Sequence, residues 1–112
     1  MKKLFISCPM RGRTDEQIHK SMEKMHRIAE AVFGEELEVI PTFIPVSTGE
    51  QKAVSLLGES IKLMSLADYY IGISWKDAPR GCFCENTVAS KYGIDTYLVG
   101  LRIAAPDMVN KF

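Results

Sequence analysis

Four short apolar runs alternate with three amphipathic stretches along this chain, and that alternation restricts the folds open to it. Residues 3–7 (Lys-Leu-Phe-Ile-Ser) read as a buried strand. Thr14, followed three residues on by Gln17, is a capping-box start for a helix. Ile18, Met22, Met25, Ala29 and Val32 then recur at helical spacing up to Gly34, which suits a helix end. Residues 36–44 give a second strand, broken at Pro41, and 45–52 a loop rich in turn formers. A second helix is expected over 53–66, with Val54, Leu57, Ile61 and Met64 on its apolar face. A third strand spans 68–74, a polar loop 75–81, a third helix about 83–92, and a fourth strand 95–100.

Strand–helix alternation of this kind predicts a parallel sheet with helices on both faces. The expected fold class is therefore α/β: a small three-layer, doubly wound sheet of four or five strands, flavodoxin-like or Rossmann-like. At 112 residues it forms a single domain. Residues 101–112 form a tail whose Ile103, Met108, Val109 and Phe112 are too apolar to float free. The tail is expected to dock on the domain or on a second subunit.

Composition removes several function classes. Fourteen basic and fourteen acidic residues leave no net charge, so no nucleic-acid partner is expected. No apolar run approaches the ~20 residues of a membrane span. The apolar start stops at Pro9 and Arg11, short of the ~7–15 residues of a signal-peptide core. The expected location is cytoplasmic. Three cysteines, Cys8, Cys82 and Cys84, lack CxxC spacing, and each reads as a small buried hydrophobe rather than part of a disulfide framework. No metal site and no cofactor are expected. His19 and His26 read as residues of a solvated helix flank.

Ligands of open α/β sheets bind at the carboxyl ends of the strands. That rule gathers the Ser7–Arg13 loop, the loop after Ile44, the Ser74–Gly81 loop and the start of the third helix on one rim. In the first loop, backbone N–H groups at a helix start, Arg11, Arg13 and a pliable Gly12 make a candidate anion site. The alternative is a solvated turn whose arginines pair with Asp15 or Glu16. Glu85, read in the first turn of the third helix, sits where the helix dipole keeps a carboxylate ionised, as a nucleophile or base requires. The alternative is an ordinary helix-start Glu. Trp75, at a strand end, either stacks on a base or caps the core. Asp77 faces solvent or reaches the site, and Asn86 caps locally or orients Glu85. Asp68 opens its strand, which puts it at the opposite rim.

Three segments carry a resemblance. Ser7-Cys8-Pro9-Met10-Arg11-Gly12-Arg13, Ala67-Asp68-Tyr69-Tyr70-Ile71 and Gly81-Cys82-Phe83-Cys84-Glu85-Asn86-Thr87-Val88-Ala89, in that order, resemble the nucleoside 2-deoxyribosyltransferase superfamily. The match runs from residue 3 to about 100. The first segment is similar to the phosphate-binding loop of its 2′-deoxynucleoside 5′-monophosphate N-hydrolases. Trp75 and Arg80-Gly81 resemble a phage and bacterial branch, for which the likeness supplies a fold and a candidate Glu.

The resemblance implies that Glu85 attacks the anomeric carbon of a (deoxy)ribose and displaces the base. It implies that Asp68 contacts the site, and that Arg11 and Arg13 hold a 5′-phosphate. Ser7, Pro9, Met10, Gly12, Trp75 and Gly81 complete the expected pocket, and Asn110 joins it across a homodimer or larger homo-oligomer. Family transferases carry an Asp six residues before the Glu, where this chain has Pro79, so hydrolysis of a nucleotide is favoured over transfer between bases. The rival expectation is a domain that binds a nucleotide without cleaving it.

Overall fold

A computed structural model gives the fold, with residues 1–42 and 52–109 described. The expected loop after Ile44 and Asn110 lie outside those residues. The chain forms β1 (Lys2–Ile6), α1 (Asp15–Phe33), β2 (Leu37–Val39), α2 (Ala53–Met64), β3 (Tyr69–Ile73), α3 (Arg80–Lys91), β4 (Asp95–Val99), α4 (Leu101–Ala104) and a 3-10 turn (Pro106–Met108). The four strands are all parallel in the order β2-β1-β3-β4. This is the doubly wound α/β sheet expected, with four strands.

Period-two alternation explains the three layers. Leu4 and Ile6 of β1 and Ile71 and Ile73 of β3 pack with Ile18, Met25 and Ala29 of α1 and with Ala104 of α4. Phe5 and Tyr70, the intervening residues, pack on the other face with Met64 of α2 and Ala89 of α3. Phe5 and Tyr70 are register partners, and their rings stack at 5.7 Å. β1 thus feeds a helix on one face and β3 a helix on the other, which opens a crevice between their carboxyl ends.

The helix starts follow local chemistry. Thr14 and Gln17 form both bonds of the capping box. α3 begins at Arg80, three residues earlier than the hydropathy pattern indicates, because Pro79 serves as N-cap and its carbonyl accepts from Phe83 N at 2.8 Å. Proline's fixed φ suits the entry to a helix, so the expected loop ends at Pro79. The described part of the tail, 101–109, packs on its own domain, with Ala104 and Ala105 buried and α4 against α1, while Ile103 is exposed. Among the described residues, no helix is long and apolar enough to cross a membrane.

Gly72 lies where β3 passes under α3. A Cβ there would sit 2.8 Å from both Cε1 and the hydroxyl of Tyr70 and against Asn86 Oδ1. Two of those atoms belong to buried, hydrogen-bonded groups that have nowhere to move. Gly72→Ala is expected to destabilise the fold by about 1–3 kcal/mol, read as a lower Tm in thermal unfolding.

Candidate active site

The site begins with one change of direction. Ser7 follows β1, and its N–H extends the parallel ladder by donating to Ile71 O at 2.9 Å. By alternation it shares the face of Phe5, so its side chain points to the α3 side of the sheet. On α3, Cys82, Glu85, Asn86 and Ala89 are all buried, a stripe at i, i+3, i+4 and i+7 that faces the sheet. Ser7 Oγ donates to Glu85 Oε1 at 2.6 Å, joining residues 78 positions apart.

Glu85 is only 9% exposed, yet it lines a cleft of about 1060 Å³. Burial pushes its carboxyl above the ordinary value of 4.5, while the hydroxyls of Ser7 and Ser60 pull the other way by favouring the charged form. This corrects the reading of Glu85 as a first-turn residue ionised by the helix dipole. With Arg80 as the first residue of α3, Glu85 falls in the second turn, and desolvation dominates its proton affinity. Burial also holds the neighbouring thiols protonated, with Cys8 raised to about 11 and Cys82 to about 12.

The β1–α1 loop forms one wall of the cleft. Pro9, Met10, Arg11 and Gly12 line it as expected. Gly12 has φ 74 with open space around its Cβ position, so glycine is required there by the left-handed backbone rather than by crowding. Gly81 and Arg80, at the start of α3, stand on the cleft as well. Arg11 and Arg80 are exposed, and neither forms an ion pair with a described residue.

Arg13 departs from both expectations for it. Its side chain is 1% exposed and paired with Asp107 at 2.7 Å. The guanidinium also donates to Pro9 O at 2.8 Å, Gln17 O at 3.1 Å and Ser21 Oγ at 2.6 Å. It neither waits for a phosphate nor pairs with Asp15 or Glu16. It ties the β1–α1 loop to α1 and to the C-terminal turn, and its donors are spent on the protein's own acceptors.

Three other expected residues lie elsewhere. Asp68 precedes β3 at the amino end of the sheet, where its Oδ2 accepts from Lys3 N at 2.8 Å. The length of β3 separates it from the cleft, so the site contact implied by the resemblance is not made. Trp75 lies off the cleft wall, half-exposed and edge-on to Phe83 at 5.1 Å. Ser7 sits behind Glu85 rather than on the wall, so it acts through the carboxylate.

Several cleft residues escaped the sequence reading. Val54 and Leu57, read on the apolar face of α2, line the cleft. Ser60, Asp15, Arg80 and Met108 join them. For Arg80 the signal was Pro79, which marks a helix start. Among the described residues, no three His, Cys, Asp or Glu side chains cluster as metal ligands. No protein-family model, curated protein or solved structure matches the chain.

Two outcomes follow from this geometry. Arg13→Gln removes the charged donor of several hydrogen bonds and is expected to cost about 1.5–3 kcal/mol, whereas the exposed Arg11→Gln should stay within about 0.5 kcal/mol, both measured by denaturant unfolding. Glu85 gives a pH signature. Its folded pKa lies above its unfolded one, so between the two the folded state holds more protons and stability falls as pH rises. Glu85→Gln, which does not titrate, should therefore gain Tm over the wild type at pH 8 relative to pH 4. A difference independent of pH would contradict the burial argument.

Proposed function

We propose that this chain hydrolyses the N-glycosidic bond of a (deoxy)nucleoside 5′-monophosphate, with Glu85 as nucleophile. The observation that carries the reading is a nearly buried carboxylate, braced by Ser7 at 2.6 Å and facing a cleft at the carboxyl ends of β1 and β3. Keeping such a group desolvated is unfavourable for the fold, and perturbed carboxylates of this kind concentrate at functional sites.

The chemistry divides into two displacements. In the first, the ionised Glu85 forms a bond from Oε2 to the anomeric carbon. The bond from that carbon to the base breaks, and its electron pair leaves with the base, which takes a proton from solvent. Oε1, becoming the carbonyl oxygen of the glycosyl ester, still accepts from Ser7. In the second, water attacks the anomeric carbon, the ester bond breaks, and Glu85 regains its charge as the water's proton is released. Arg11 and Arg80, on facing elements of the cleft, supply donors for the 5′-phosphate in place of the pairing of Arg11 with Arg13. The apolar side chains of Val54 and Leu57 offer a surface for the base.

A nucleoside deoxyribosyltransferase would share the first displacement and resolve the ester with a second base. A binder that holds a nucleotide without cleaving it is the other reading. What favours it is the burial of Glu85, which raises the proton affinity of a group that must ionise to attack.

Incubating the protein with ribo- and deoxyribonucleoside monophosphates and nucleosides, and reading free base by chromatography, separates these. Hydrolysis predicts base release that falls at least about a hundredfold in Glu85→Gln. Arg11→Gln should weaken monophosphates far more than nucleosides. Base release only when a second free base is supplied indicates transfer. A nucleotide-dependent rise in Tm without base release overturns catalysis in favour of binding.

A further inference from the structure

Asn86 follows Glu85 directly, and its side chain is 0% exposed. Its Nδ2 donates to the carbonyl of Ile73, the last residue of β3, at 2.7 Å. Its Oδ1 accepts from the Tyr70 hydroxyl. Tyr70 is itself fixed by its stack on Phe5, and Gly72 leaves space for the amide by having no side chain. Neither Tyr70 nor Asn86 lines the cleft.

The other buried residues of the α3 stripe, Cys82 and Ala89, are small, and small side chains define the roll of a helix less sharply than a paired amide does. A side chain about 6 Å from a helix axis moves by ~1 Å when the helix rolls ten degrees. A displacement of that size breaks a short hydrogen bond, and misplacement of ~1 Å at a reacting group can cost a hundredfold in rate. Two apolar side chains in place of Tyr70 and Asn86 would fill the space but leave the roll undefined, whereas directional bonds fix it.

We propose that the Tyr70–Asn86–Ile73 hydrogen-bond chain is the positioning element of the site, fixing the roll of α3 on β3 so that Glu85 meets Ser7. The proposal rests on the reading of Glu85 as the working carboxylate, with Tyr70 and Asn86 as positioning residues that act through it.

The test reads Glu85 itself, without substrate. In the full chain labelled with carboxyl-13C glutamate, the Glu85 resonance is identified by its loss in Glu85→Gln and followed through pH. The titratable groups near it are Cys82 on its own helix, Cys8 in the β1–α1 loop and Tyr70 on β3. Burial raises all three well above neutral pH, so they stay protonated while Glu85 titrates. Arg11, Arg13, Asp15 and Arg80 complete the charged groups along the cleft, and Ser60 faces Glu85 from α2.

Tyr70→Phe removes the hydroxyl that bonds Asn86 and also touches Ser7, and keeps the ring on Phe5, so Asn86→Ala, which leaves the Ser7 contact in place, is the arm that isolates the roll of α3. Tyr70→Phe should move the Glu85 midpoint upward, in the direction of Ser7→Ala, because both loosen the hydroxyl that favours the charged form. In the Ser7→Ala background Tyr70→Phe should add nothing, since the two act through one contact. Asn86→Ala, which deletes both bonds without adding bulk, should give the same displacement. Titration of Tyr70→Phe and Asn86→Ala identical to wild type overturns the proposal, as do shifts that simply add in the double variant. Where base release is detected, Tyr70→Phe should lower kcat on the order of tenfold with little change in KM. An unchanged resonance sinks positioning alone, and absent base release sinks the glycosidase reading alone.

Discussion

A hydrogen bond 2.6 Å long between Ser7 and Glu85 closes this molecule across most of its sequence. It exists because β1 ends one residue before Ser7, which turns that hydroxyl to the same face as α3, and because α3 presents Glu85 in its sheet-facing stripe. The carboxylate is thereby held out of water yet open to a cleft. Such a group weakens the fold at neutral pH. Its surroundings are arranged around that cost: the hydroxyl just after β1 and one from α2 stand beside it, and thiols kept protonated by burial add no competing charge.

The cleft depends on a second constraint, the buried guanidinium of Arg13. By binding Asp107, Pro9 O, Gln17 O and Ser21 together, it fixes the shape of the β1–α1 loop and anchors the C-terminal turn beside it. Arg11 stands exposed on the cleft, and Met108 lies on its wall. Two arginines two residues apart thus do different work. One organises the loop, and the other stands exposed on the cleft, as does Arg80 from α3. A planar guanidinium with five donors suits either role, and only its surroundings distinguish them.

Much of the fold was legible beforehand. The alternation of residues 3–7 and 68–74, the stripe from Ile18 to Ala29 and the capping box at Thr14 are local signals, and each element they indicate forms. The site was legible in part. The β1–α1 loop and Glu85 come together as the strand-end rule requires. Asp68 shows where likeness of sequence and topology diverge, because its place before β3 puts it at the wrong end of the sheet and on Lys3 N. Val54 and Leu57 look like core residues by periodicity, since a helix face that lines an apolar cleft has the same pattern as one that lines a core.

What the sequence determined by itself was the architecture: a small doubly wound parallel sheet and the helices between its strands. Those follow from periodicity and end signals that act over a few residues. Only the tertiary structure decided which polar groups are spent and which are free. It assigned Arg13 to Asp107, 94 positions away, left Arg11 and Arg80 on the cleft, and set burial rather than the helix dipole in command of Glu85. The reason is physical: desolvation and hydrogen-bond partnership depend on which distant segments pack together, and no local spacing encodes that distance.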